Sequence, residues 1–303
     1  MDRLTMWIFM FSFLSLVTLS CKQGKVSDDG NAKDSLHTTL LDNASEGKRA
    51  PSVLHFWDDY NFGDTNLIHN PNVSEQALVD FLDLLRSVDQ PQAAIAIKTM
   101  FDKAAINEKV FAYFREKSES YLYDPNSPMR SDVYYQPVLE YLIAARQTSD
   151  TDRERYKTRL TMVRKNMPGS VANNFNYTDL VGESKSIHEQ FGMSKLLVFY
   201  DPNCPHCRDI LKQMAGSPHL NALIHDKALK VLAVCPVGDV DGWKAYQQNI
   251  PDNWTNGFVK EEVVIHKGLY DLRAFPTIFL IDNNNNVILK DTELEQIVNV
   301  FRG

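Results

Sequence analysis

Cys204 and Cys207 enclose Pro205 and His206, and this Cys-Pro-His-Cys spacing is the feature of the 303-residue sequence best suited to covalent chemistry. Thiols three positions apart lie one helical turn from each other, near enough to close a small disulfide with little backbone movement. The apolar run Leu196 to Tyr200 precedes them and has the length and content of a buried strand. Asp201, Pro202 and Asn203 break that run, and Arg208 to Ala215 continues with helical composition. A strand that feeds a C-x-x-C at a helix start is the context in which the motif reads as a redox dithiol. There Cys204 faces unpaired backbone N–H groups and the positive end of the helix dipole, both of which favour thiolate over thiol. Cys204 is therefore the attacking thiol, and Cys207 the resolving thiol that attacks the mixed disulfide. Pro205 and His206 tune the couple: a donor or cation at His206 stabilises the thiolate and makes the disulfide a stronger oxidant. Simple solvent exposure is the alternative for His206.

A structural disulfide or half of a zinc site are the alternatives for the pair. Zinc would need two more ligands, and only Cys235 and the scattered His188, His219, His225 and His266 are on offer, none at ligand spacing. No metal and no cofactor is expected.

The element that must face the dithiol lies downstream. Leu272-Arg-Ala-Phe-Pro-Thr-Ile-Phe-Leu-Ile-Asp282 sets Phe275-Pro276-Thr277 immediately before the apolar run Ile278 to Ile281, with a polar turn and then Val287 to Asp291 behind it. A C-x-x-C followed by a Pro-Thr leading into a strand hairpin resembles the thioredoxin superfamily, and in particular the TlpA/ResA-type membrane-anchored thiol-disulfide oxidoreductases of bacterial envelopes. The resemblance spans residues 170–303. It implies that Pro276 is cis and lies against the dithiol, with Phe275 and Thr277 beside it as client-binding positions and the Phe275 backbone open to strand-like pairing. It also implies an opening hairpin, Phe175 to Leu180 and Lys185 to Gln190. Core strands at Lys195 to Tyr200 and Lys230 to Cys235 follow, with helices at Cys204 to Ala215, Val240 to Asn249, Glu262 to Leu272 and Thr292 to Phe301. The Pro-His pair resembles strongly oxidising relatives such as DsbA, whereas the domain around it resembles reductants. One departure stands out. The buried acid that thioredoxin carries six residues before its first motif cysteine is replaced by Val198, so a proton on Cys207 must leave through water or another group.

Cys235 ends a core strand on the side where active-site residues gather, although free cysteines are commonly buried and inert. Trp243, Tyr246 and Trp254 could line a client groove or pack the insertion onto the core, and packing is the expectation.

At the other end, Arg3 is followed by an uncharged run, Leu4 to Leu19, too short for a bilayer-spanning helix of roughly 20 residues. It fits the apolar region of a secretory signal (residues 1–20). Thr18-Leu19-Ser20-Cys21 resembles a lipobox, with Thr18 where leucine is preferred, and implies lipidation of Cys21. A plain signal peptide, or an uncleaved anchor with an incidental cysteine, is the alternative. Residues 21–50 read as a polar tether, and the folded chain as exported, lipid-anchored and facing the periplasm or the cell surface.

Residues 51–168 read as an all-α domain. Phe56, Trp57, Tyr60 and Phe62 start its core, and helices follow: one capped by Asn72 or Ser74, then Gln92 to Ile106, Asn107 to Tyr123, Val133 to Ala145 and Thr151 to Met167. The basic cluster Arg153, Arg155, Lys157, Arg159, Arg164 and Lys165 alternates with acids and reads as a solvated face. This part resembles an uncharacterised helical domain found ahead of thioredoxin-like modules in bacterial lipoproteins. The whole is thus α+β: an all-α domain followed by an α/β thioredoxin-like fold, a mixed sheet with helices on both faces.

A net charge of −7 argues against nucleic acid as a partner. The expected activity is thiol-disulfide exchange on envelope proteins, as a reductase. Its partners are client proteins carrying disulfides or thiols and a membrane dithiol electron donor. The rival is a non-enzymatic lipoprotein whose helical domain binds a partner and whose thioredoxin fold is a scaffold. A peroxidase is disfavoured by two cysteines one turn apart.

Overall fold

The computed structural model describes residues 52–189 and 192–302. The signal segment, Cys21 and the tether expected from the sequence lie outside the described residues, as does Gln190. The described residues belong to one compact unit.

Its first part is helical: α1 (Ser74–Leu84), α2 (Gln90–Ala104), α3 (Glu108–Leu122), α4 (Asp132–Ala144) and α5 (Asp150–Val163). Side-chain caps fix four of the starts, with Asp89, Asn107, Ser131 and Ser149 each accepting a backbone N–H of the first turn. The first helix differs from expectation. Neither Asn72 nor Ser74 caps it, because Ser74 is buried and its hydroxyl donates to the Leu67 carbonyl and meets the Tyr60 hydroxyl at 2.5 Å. Trp57, Tyr60 and Phe62 are buried around Phe114, the first two edge-on and Phe62 tilted, so the aromatic opening is core.

The basic cluster on α5 is only partly a solvated face. Arg155, Lys157 and Arg164 pair with Asp152, Glu154 and Glu140 at the surface. Arg153 instead donates to the carbonyls of Ile143, Ala145 and Thr148, and Arg159 pairs with Glu119 at 2.6 Å.

The second part is built on β1 (Asn176–Thr178), β2 (Ser184–Ser186), β3 (Ser194–Phe199), β4 (Leu229–Cys235), β5 (Thr255–Phe258), β6 (Thr277–Ile281) and β7 (Val287–Lys290). They form one mixed sheet in the order β2-β1-β5-β4-β3-β6-β7. Central β3 runs parallel to β4 and antiparallel to β6. Its alternate residues serve two cores, as a two-residue strand period requires. Leu196, Val198 and Tyr200 pack with residues of α6 (Pro205–Ala215), α7 (Pro218–His225), α8 (Val240–Tyr246) and α10 (Leu294–Val300). Leu197 and Phe199 pack on the other face with Phe175, Tyr270 and Val264 of the single-turn α9 (Val263–His266).

Two elements were not foreseen. The strand Thr255–Phe258 is four residues containing Asn256 and Gly257, with no strand pattern to read. The helix Pro218–His225 starts from a Ser217 cap behind Gly216. The helix expected over Glu262 to Leu272 is shortened to α9, because the chain beyond it is bonded sideways. Lys165 donates to the Gly268 carbonyl, and Asn166 and Asn173 donate to that of Leu269. No helix among the described residues is long and apolar enough to cross a membrane.

Candidate active site

The register Phe199↔Thr277 brings the exit of β3 beside the entrance of β6, so the segments carrying Cys204 and Pro276 meet at one end of these interior strands. Between Tyr200 and α6 the chain turns tightly. Asp201 accepts the Asn203 N–H on its carboxylate and the Cys204 N–H on its carbonyl. Cys204 then caps α6 in an extended conformation, and its Sγ accepts the Cys207 N–H at 3.2 Å. Pro205 follows at the first turn, where its missing N–H leaves no bond unmade. Pro205 and His206 are both exposed.

Cys204 is partly exposed and Cys207 is fully buried, and both are free thiols. Burial pushes the Cys207 thiol strongly up. The neighbouring Cys204 and the charge of Asp201 add to this, and a backbone hydrogen bond at Asp201 opposes it. The outer sulfur is thus accessible at a helix N-terminus, while the inner one is kept as a thiol. Val198 below them is fully buried.

The Phe275–Pro276 peptide bond is cis. The carbonyl of Phe275 lies 3.6 Å from Cys204 Sγ, within reach of a thiol S–H. Thr277 is buried, and its hydroxyl donates to the Ala274 carbonyl at 2.6 Å, so this side chain is spent inside the loop.

Cys235 is buried, and its thiol donates to the Val237 carbonyl at 3.0 Å; burial pushes it up to about 12. Trp243, Tyr246 and Trp254 are buried in the core. Beneath the dithiol, the Tyr200 hydroxyl and the Trp243 indole N–H both donate to Asn256 Oδ1, at 2.8 and 2.9 Å. Asn256 in turn donates to Gln247 at 2.7 Å. No sequence signal marked Asn256, because the strand that carries it was not legible.

A second unforeseen group adjoins the Phe275–Pro276 loop. Arg273 pairs with Asp132 at the start of α4 and with Asp271 at 3.2 Å, and it donates to the Tyr123 carbonyl at 2.9 Å. Lys290 pairs with the other oxygen of Asp132 at 2.7 Å, and Arg130 with Asp291 at 3.4 Å. The signal was present as charges inside otherwise apolar stretches, Arg273 before Phe275 and Lys290-Asp291 after Leu289. Their partner on a distant helix carried none. Among the described residues no group of three or more His, Cys, Asp or Glu side chains is arranged to hold a metal ion.

Residues 47–166 match a domain of unknown function, DUF5106. The crystal structure of a thioredoxin-like protein from Bacteroides caccae has 37% identity and a TM-score of 0.76, over 82% of this chain and 90% of that one. The C-terminal domain of an uncharacterised protein from Bacteroides fragilis has 36% identity and a TM-score of 0.44, over 46% of this chain and 99% of that one. The thioredoxin domain of a thiol-disulfide oxidoreductase from Bacteroides vulgatus has 23% identity and a TM-score of 0.40, over 45% and 96%. No curated protein matches. With its sheet, its two-sided core and a relative matched along most of both chains, this chain belongs to the thioredoxin-like family, carrying a DUF5106 domain ahead of the thioredoxin fold.

Proposed function

We propose that this protein exchanges disulfides with client proteins through Cys204 and Cys207, working as a reductase. The Cys204 thiolate attacks one sulfur of a client disulfide. A Cys204–client bond forms, and the client's other sulfur leaves as a thiolate. Cys207 then attacks Cys204 Sγ, its proton passing to solvent or to the departing sulfur, and the client's first sulfur is released. The client has gained two electrons and the protein holds a Cys204–Cys207 disulfide, which a membrane dithiol protein reduces. The observation that carries this reading is the position of Cys204 Sγ: partly exposed, capped by the Cys207 N–H at 3.2 Å and facing the Phe275 carbonyl at 3.6 Å.

The site works outside the cytoplasm on a chain tethered by a lipid on Cys21. The charge-free run ending at Cys21 and the polar stretch behind it support this placement. Clients dock along the Phe275 backbone, and His206 adjusts the potential.

The test is the reduction potential of the pair, read by alkylation and mass after equilibration with defined thiol ratios, together with insulin reduction by wild type and Cys204→Ser. A value near −270 mV, about that of thioredoxin, with loss of activity in Cys204→Ser, is expected. A value near −120 mV, about that of DsbA, would reverse the direction of transfer. Equal activity of wild type and variant would sink the proposal and leave a binding lipoprotein.

A further inference from the structure

The segment that leads into the Phe275–Pro276 loop is held from two sides, by its own half and by Tyr123, Asp132, Lys165 and Asn166 of the helical part. From Lys267 to Pro276 it has neither helix nor strand, so no backbone ladder fixes its course. Lys165 and Asn166, in the turn behind α5, hold the carbonyls of Gly268 and Leu269. The Tyr270 hydroxyl donates to the Asn173 carbonyl at 2.8 Å. At Arg273, two residues before Phe275, the grip is strongest. Its guanidinium meets the Asp132 carboxylate and the Tyr123 carbonyl of the helical part, as well as Asp271 and Asp291 of its own half at 3.2 and 3.7 Å, and it lies 4.1 Å from the centre of the Tyr123 ring. The Tyr123 and Asp132 contacts come from the end of α3 and the start of α4, whose caps set their direction. Lys290, which shares the Asp132 carboxylate with Arg273, also donates to the carbonyls of Val163 and Lys165 and so closes the seam.

A buried ion cluster is a poor way simply to glue two surfaces, since apolar packing of equal volume holds as well or better. What a planar, multiply bonded guanidinium adds is direction. Here that direction fixes the residue from which Ala274 and Phe275 are hung. We infer that the DUF5106 domain is the positioning platform for the client-docking loop, and that Arg273, held by Asp132, is the positioning residue through which it acts. This rests on the reading of Cys204 and Cys207 as an exchanging pair and of the Phe275 backbone as the docking edge. A small disulfide needs only the accessible Cys204 sulfur, whereas a protein client also needs the loop edge in place.

The full-length protein, its Asp132→Asn variant and the milder Arg273→Lys variant are compared on two substrates. One is 5,5′-dithiobis(2-nitrobenzoate), attacked by the reduced protein; the other is insulin, with dithiothreitol as donor. For Asp132→Asn the small-disulfide rate is expected within about twofold of wild type and the reduction potential unchanged. KM for insulin is expected to rise at least fivefold, with kcat within about twofold. Arg273→Lys, which keeps the charge and loses the fork, should lie between. Parallel losses on both substrates would mean general loosening and overturn the inference, as would unchanged insulin kinetics in both variants. Cys204→Ser separates this from the parent reading. If it retains wild-type rates, the exchange chemistry itself is wrong; if it is inactive while the other variants match wild type, only the platform role is lost.

Discussion

The Arg273 guanidinium meets the Asp132 carboxylate across 141 residues of chain, at side-chain exposures of 12% and 1%. Lys290 shares that carboxylate from an exposure of 1%. Removing the acid's charge leaves Lys290 facing a neutral partner and Arg273 facing only Asp271 and Asp291, in a dry seam. Loss of one member of a buried pair costs about 3–5 kcal/mol, against about 0–1 kcal/mol for an exposed pair. Asp132→Asn is therefore expected to lower the urea midpoint clearly, while Lys98→Ala, which breaks the surface pair to Asp102, leaves it almost unmoved. Equal midpoints for the two variants would show that the seam is wetter than its geometry implies.

Asp291 gives the same seam a pH dependence. Burial and the neighbouring Asp132 charge raise it to about 6 from an ordinary 3.8, against the opposing Arg130, Arg273 and Lys290. Between those values the folded form holds a proton that the unfolded chain has released. The contribution of Asp291 to stability is thus full below about pH 3.8 and is lost as pH rises through about 6. Asp271, raised by burial beside Arg273, acts in the same direction. The melting temperature of wild type minus that of Asp291→Asn is expected to fall between pH 4 and pH 7. A difference that stays flat or rises would contradict the assignment.

Gly257 leaves room for the Tyr177 ring of the neighbouring strand. A Cβ there would lie 2.5 Å from Cδ2 and 2.9 Å from Cγ of the Tyr177 ring, and Tyr177 is buried. The ring cannot swing aside, since it fills the core under β1. Gly257→Ala is expected to cost about 1–3 kcal/mol, the usual range for overpacking a core. Chemical denaturation of the variant measures it, and a loss below about 0.5 kcal/mol, the scatter of ordinary surface changes, would mean the hairpin lifts freely.

The sheet and the dithiol were legible because their signals are local. β3, β4, β6 and β7 announce themselves as short apolar runs, and Cys204 and Pro276 sit at the run ends where the thioredoxin-like pattern expects them. What was not legible depends on distant partners. The stretch Glu262 to Leu272 reads as a helix, yet beyond His266 its carbonyls at Gly268 and Leu269 are taken by Lys165, Asn166 and Asn173 from elsewhere in the chain. Asn256 looks like a loop residue until Tyr200 and Trp243 are seen to converge on it. Arg153 and Arg159 read as surface charges because sequence gives their spacing on α5 but not the carbonyls and Glu119 that face them.

The three thiols of the second half differ in what they can do, and substitution should separate them. With Cys207→Ser the Cys204 sulfur keeps its cap, because the cap is the backbone N–H of residue 207 rather than its side chain. Attack on a client would proceed and resolution would not, so a Cys204–client mixed disulfide is expected to accumulate and to appear in non-reducing gels and intact mass. Cys204→Ser should yield no adduct, since the buried Cys207, pushed strongly up, offers little thiolate to an incoming disulfide. Cys235→Ser is expected to reduce insulin at the wild-type rate within about twofold, because a buried thiol held up at about 12 and bonded to the Val237 carbonyl is a poor nucleophile. If Cys235→Ser instead slowed resolution, or if Cys207→Ser formed no adduct, the division of roles between an outer attacking and an inner resolving sulfur would have to be redrawn.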